Sequence, residues 1–274
     1  MKCNLNIDNK PFSFDVEGEF FWGNDEVLFT KDSDSIVEKT DWKNEGYNII
    51  EVLEPEEHKE IIEAISSVIK NIFKELGVKY DENNFNLENY HKYVDNDHIH
   101  NEVIKKTRFL RYSDFPQNLL KKISNKVSDD LQKPVSFDNP LLENEIVILR
   151  ISRPNSLDIN PPHRDGYLDI WENILNLWLP IIGCDENSSL PVIPKSHLWS
   201  EKDVLRTSTK GATINGLSYH VPAIIKTTHD LNMIRPNPKI GQVLIFTPYI
   251  IHGAAVNLNQ DKTRMSLELR LYNK

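Results

Sequence analysis

At 274 residues the chain can bury a core of its own, and 39% hydrophobic against 27% charged residues excludes wholesale disorder. A net charge of −9 at pH 7, with no concentrated run of Lys or Arg, excludes a nucleic-acid groove. Two cysteines, Cys3 and Cys184, are too few for a disulfide framework, the opening residues lack a signal-like apolar segment, and no stretch reaches membrane-span length. The expectation is a cytoplasmic protein without a membrane partner.

In chain order, residues 1–40 hold short alternating segments, Leu5/Ile7 and Phe12/Phe14/Val16, on either side of the turn-like Asp8-Asn9-Lys10-Pro11, which predicts a hairpin and a β-rich extension. Residues 41–140 read as a helical support region. A helix beginning at Pro55 carries an apolar stripe of Ile61, Ile65, Val68, Ile69, Ile72, Phe73 and Leu76, and Gly77 is placed to end it. A second, Pro116 to Leu131, carries Leu119, Leu120, Ile123, Val127 and Leu131 on one face. His91, His98 and His100 lie close together between them, but helical continuation after His100 turns the His98 and His100 rings apart, and no third ligand is near.

After Pro140 the pattern changes to strands, with segments at 145–152, 174–182, 190–193, 243–246, 251–256 and 263–272. Helices followed by a run of strands predict an α+β, mainly β fold, with the helices packed on one sheet of a sandwich or barrel. The whole of 1–274 reads as one domain, 141–274 being its core and 199–238 a lid-like insertion. In the last strand Met265, Leu267, Leu269 and Leu271 alternate with Arg264, Ser266, Glu268 and Arg270. Either the polar face lies in water, or the apolar face meets the helices and the polar face looks into a cavity.

Chemistry centres on Pro161-Pro162-His163-Arg164-Asp165-Gly166. On an extended segment His163 and Asp165 point to one side, and His252, before Gly253, is the candidate third ligand. Two histidines and one carboxylate on one face of an octahedron leave three positions open for a chelating 2-oxo acid and O₂. The far carboxylate of 2-oxoglutarate then needs a forked cation with a hydroxyl beside it, which Arg264 and Ser266 supply.

On these residues the chain resembles the phytanoyl-CoA dioxygenase-like family of Fe(II)/2-oxoglutarate oxygenases. Asn44-Glu45-Gly46-Tyr47-Asn48-Ile49-Ile50-Glu51-Val52-Leu53, Asn176-Leu177-Trp178-Leu179-Pro180-Ile181 and Ser189-Leu190-Pro191-Val192-Ile193-Pro194-Lys195-Ser196-His197 are similar to three further family segments, with Lys195 in place of the usual glycine. The resemblance spans residues 41 to 274. It implies a double-stranded β-helix (a cupin-like jelly roll), Fe(II) on His163, Asp165 and His252, 2-oxoglutarate on Arg264 with Ser266, and Asn176 and Trp178 lining the cosubstrate pocket. It further implies hydroxylation of an unactivated C–H bond with release of succinate and CO₂ as the usual outcome, while desaturation, ring formation or epimerisation would use the same residues. Asp165 stands where related halogenases carry a small residue, so oxygen chemistry is expected over halogenation.

As substrate contacts Arg150, Arg164, Tyr167 and Trp171 lie near the motif in sequence, and the two arginines point to a polar or anionic small molecule. Two other readings use the same residues: a cupin-like hydrolase or isomerase on Zn or Mn, independent of 2-oxoglutarate, and a non-catalytic jelly-roll binding protein. Oligomeric state has no signature in the sequence.

Overall fold

The structure, a computed structural model, describes residues 1–31, 35–138, 147–156, 158–168, 174–214 and 216–274. The helix expected from Pro55 spans Pro55–Leu76. Its first turn closes on itself, because the Glu57 carboxylate accepts from the Glu54 amide at 2.8 Å, and Gly77 ends it at φ 68°, a conformation that penalises any side chain. Ile61, Ile65, Ile69, Ile72 and Phe73 are buried, as are Leu119, Leu120, Ile123, Val127 and Leu131 of the helix Gln117–Leu131. A third helix, Asp97–Thr107, starts where the Asn96 side chain accepts from the Ile99 amide at 2.9 Å.

These helices cover the larger of two β-layers. Its strands are antiparallel in the order Tyr47–Glu51, Gln242–Phe246, Ile174–Ile182, Arg264–Asn273; beyond the last, Ile148–Ser152 pairs with its first half and Val135–Ser136 with its end. Ile174–Ile182 is apolar at every position but Asn176 because both its faces are covered. Leu175, Leu177, Leu179 and Ile181 join the helices in one core, together with Met265, Leu267, Leu269 and Leu271. Trp178 points inward and packs with Leu190, Leu244, Phe246 and Ile250 between the layers. The polar face of the final strand therefore turns into the molecule: Arg264, Ser266 and Arg270 are all buried.

The smaller layer is assembled from short pieces. Ile251–His252 pairs with Val192–Ile193, and His252 and His163 exchange backbone bonds at 2.9 and 3.0 Å. Ile224–Thr227 follows, its Ile224 amide on the Pro162 carbonyl at 2.7 Å, and then Val204–Thr207 and Phe20–Trp22. On the other side Ile234 bridges to Val192, and Asn232–Met233 runs parallel to Lys2–Ile7 of the N-terminal hairpin. That hairpin, Lys2–Ile7 with Lys10–Asp15, turns at Asp8 and Asn9 with φ of 50° and 63°, which short polar side chains tolerate. Residues 1–40 thus feed strands into this layer at both ends.

The architecture is a double-stranded β-helix with helices packed on one sheet: α+β, mainly β. Residues 199–238 supply much of the smaller layer, through Val204, Ile214, Ala223, Ile224, Ile225, Leu231 and Met233 in its core, and among the described residues of this stretch Ser218–Val221 reach the central cavities. Lys195 keeps the turn that a glycine suits, at φ 65°, with its amide on the Glu45 carbonyl at 3.0 Å and its Nζ 3.1 Å from the Glu45 carboxylate. Among the described residues no helix is long and apolar enough to cross a membrane.

Candidate metal centre and its cavities

His163, Asp165 and His252 converge in the interior, each no more than 6% exposed, and one potential ligand atom from each lies within 4.8 Å of the others. The strand-like bridge between His163 and His252 sets their rings 4.3 Å apart. Such an approach needs Gly253: at φ 119°, a Cβ there would stand 2.4 Å from the Pro161 carbonyl oxygen. Asp165 opens a short 3₁₀ turn, and Gly166 beside it leaves room for the Tyr249 ring, 2.6 Å from where a Cβ would sit.

Proton placement identifies what the three residues can hold. His163 Nδ1 donates to the Pro161 carbonyl at 2.7 Å, and His252 Nδ1 donates to the Ile250 carbonyl at 3.1 Å. A carbonyl has no proton to give, so in each neutral ring the Nδ1 is protonated and the Nε2 lone pair is left facing inward. Burial, then the neighbouring His163, pushes the His252 pKa down to about 4. The two Nε2 atoms stand 3.3 and 4.0 Å from Asp165 Oδ1, so three electron-pair donors face one another, the arrangement a cation resolves. Burial works against the charge of Asp165, but Arg270, whose Nη2 lies 3.3 Å from Oδ2, outweighs it and holds the carboxyl well below its ordinary range. The donor set and its outer hydrogen bonds fit Fe(II).

Two cavities, of about 390 and 260 Å³, meet at His163 and His252. Arg264 lies in the larger with Trp178, Leu190 and Ala255. Its Nη1 donates to Ser266 Oγ at 3.1 Å and its Nη2 to the Ala255 carbonyl at 2.8 Å, while its Nε is buried without a partner. Among the described residues no carboxylate pairs with this guanidinium, and burial lowers its pKa. The cavity therefore holds a forked cation ready for an incoming carboxylate.

The other expected residues divide. Trp178 shares the cavity of Arg264, but Asn176 lines the smaller one with Asp165 and Arg270, because its place on the strand is opposite Arg270 and well along from Arg264. Arg150 faces both cavities, its Nη2 2.8 Å from Glu268. Arg164 does not reach them. Alternation sends it away from its neighbours His163 and Asp165, and it is fully buried with Nη2 on the Ser196 carbonyl at 2.8 Å and Nη1 3.2 Å from Glu201. Tyr167 also lies outside the cavities, its ring 4.3 Å from the Arg206 guanidinium. Trp171 falls outside the described residues. Glu268 and Arg270 were not singled out from the sequence, though both belong to the polar face of the last strand. Arg108, just past the helix Asp97–Thr107, also faces both cavities and carried no sequence signal. His98 and His100 line the larger cavity, where His100 Nε2 lies 3.4 Å from Asp158 and Nδ1 3.0 Å from the Tyr90 hydroxyl.

His197 packs under the metal-bearing layer, its Nε2 2.8 Å from the Lys43 carbonyl and its ring where a Cβ on Gly46 would fall, 2.5 Å away. Burial pushes its pKa from 6.5 down to about 4, against the opposing pull of that carbonyl. On acidification the unfolded chain takes up this proton first, so the associated stability is complete above pH 6.5 and lost as pH falls toward 4. The expected loss is about 3 kcal/mol, read as a falling urea midpoint that His197→Gln flattens; identical profiles for the two proteins would contradict it.

The family profile described as phytanoyl-CoA dioxygenase (PhyH) matches residues 42–266. Comparison with curated proteins finds no match. Among solved structures, AviO1 from Streptomyces viridochromogenes Tue57 is similar at 14% identity and TM-score 0.47, covering 92% of this chain and 96% of its own. SnoN, a non-heme alpha ketoglutarate dependent epimerase from nogalamycin biosynthesis, is similar at 12% identity and TM-score 0.43, with 85% and 79% covered. EctD from S. alaskensis, solved with 2-oxoglutarate and 5-hydroxyectoine, is similar at 12% identity and TM-score 0.48, with 94% and 84% covered.

Proposed function

The chain belongs to the phytanoyl-CoA dioxygenase (PhyH) family, and from that membership we propose that it hydroxylates an unactivated C–H bond of a polar small-molecule metabolite, with release of succinate and CO₂. It is a non-heme iron oxygenase that uses Fe(II), 2-oxoglutarate and O₂. The observation that carries the reading is the convergence of His163 Nε2, His252 Nε2 and Asp165 Oδ1, beside a guanidinium that, among the described residues, lacks a carboxylate.

In this reading His163, Asp165 and His252 hold the iron, and Arg264 with Ser266 holds the far carboxylate of 2-oxoglutarate. Bound Fe(II), with 2-oxoglutarate and O₂, supplies the oxidising power that converts C–H to C–OH. The chain's own residues orient and protect. Arg270 steadies the outer oxygen of Asp165, and the Pro161 and Ile250 carbonyls fix the tautomers of the two histidines. Trp178, Leu190 and Phe246 keep water from the reacting region, and a placed substrate carbon replaces the search for one. Asp165 fills the position that halide would need, which supports oxygen transfer.

Anaerobic addition of Fe(II) and 2-oxoglutarate should produce the weak visible charge-transfer band of the chelate. A folded, metal-loaded protein without that band would overturn the cosubstrate assignment and favour the Zn or Mn hydrolase or isomerase reading.

A further inference from the structure

Around the metal centre the charges of the described wall residues do not balance. Four guanidiniums line the two cavities: Arg108, Arg150, Arg264 and Arg270. Arg270 lies against Asp165 at 3.3 Å, and Arg150 against Glu268 at 2.8 Å. Among the described residues the remaining carboxylates of the larger cavity are also engaged, Asp158 by Arg153 at 3.0 Å and Glu102 by Lys105 at 2.6 Å. Arg264 is left for the cosubstrate. Arg108 is left over.

Among the described residues nothing accepts a hydrogen bond from Arg108, and its Nε is buried without a partner. Burial, then the nearby charge of Arg150, disfavours its cation and lowers its pKa. Its position at the end of the helix Asp97–Thr107 suits a cation, but that accounts for the backbone site and not for a side chain turned into the cavity that reaches the metal ligands. Tyr219, from the strand Leu217–Tyr219, lines the same two cavities, and the charges of Arg108 and Arg150 both act on its hydroxyl.

Building on the oxygenase reading, we propose that Arg108, with Arg150 and Tyr219 beside it, is the subsite for a single carboxylate of the substrate. One unbalanced guanidinium matches one negative charge, which selects a monoanionic carboxylate over a phosphate dianion. The fork of Arg108 donates to that carboxylate from its helix end, and Arg150, its charge already matched by Glu268, brings a buried Nε that lacks a partner. The substrate is then fixed at its acid end, and the carbon presented to the metal lies at a set reach along its chain.

The test uses the Fe(II)-loaded, 2-oxoglutarate-saturated protein under anaerobic conditions, titrated with short straight-chain and phenyl-substituted carboxylates, their primary amides and the matching alkyl phosphates. Calorimetry and the charge-transfer band give the two readouts. Carboxylates are expected to bind roughly tenfold or more tightly than their amides, with that preference lost in Arg108→Gln and partly kept in Arg108→Lys. Both variants should keep the wild-type affinity for 2-oxoglutarate, which also certifies their fold. Amides binding as well as carboxylates, no binding by either, tighter binding of the phosphates, or an unchanged preference in Arg108→Gln would each overturn the proposal. A wild-type protein that forms no 2-oxoglutarate band would instead bring down the oxygenase reading, while calorimetry with carboxylates and amides still judges the Arg108 subsite.

Discussion

His163→Ala is expected to lower Fe(II) affinity by roughly two orders of magnitude or more, since losing even an outer partner of a metal ligand costs about 10- to 100-fold. The ring is one of three inward-facing donors, and its removal leaves Asp165 and His252 too few to hold a divalent ion against water. The fold should survive, because residue 163 is tied to His252 through the backbone and those bonds do not depend on the imidazole. Anaerobic calorimetry with Fe(II), alongside thermal unfolding of the metal-free protein, measures both effects. A folded variant that still binds iron at wild-type affinity would remove His163 from the ligand set.

Arg264→Ala is expected to leave iron binding intact and weaken 2-oxoglutarate by roughly two to three orders of magnitude, the loss seen when one partner of a buried charge pair is truncated. The guanidinium is buried, held by Ser266 and the Ala255 carbonyl, and unmatched by any carboxylate among the described residues. Arg264→Lys should recover only part of the affinity, because an ammonium supplies the charge without the fork that grips both carboxylate oxygens. Titration of the charge-transfer band in the three proteins checks this. If His163→Ala and Arg264→Ala lose the same function, the division between metal ligand and cosubstrate anchor is wrong.

Much of the frame could be read from local pattern. The stripe from Ile61 to Leu76, the cap at Gly77, the strand Ile174–Ile182 and the alternation from Arg264 to Leu271 all follow from periodicity, which depends on a residue and its near neighbours. His163-x-Asp165 and the distant His252 and Arg264 were legible as types of residue that a metal and a 2-oxo acid require. Arg164 shows the limit of reading by proximity, since its place between two ligands on an extended segment turns it toward Glu201 and away from them. Trp171 lies beyond the described residues.

By itself, then, the sequence determined the order of helices and strands, the apolar face of each, and the set of donors from which a metal site could be built. Only the tertiary structure decided that the polar face of Arg264–Asn273 looks into a cavity, because the helices that cover its other face come from the opposite end of the chain. The same packing decided that Arg270 serves Asp165, that Arg150 is neutralised by Glu268, and that Arg108 is left beside them without a carboxylate among the described residues. Charge balance inside a cavity is a sum over residues that meet only when the chain has folded.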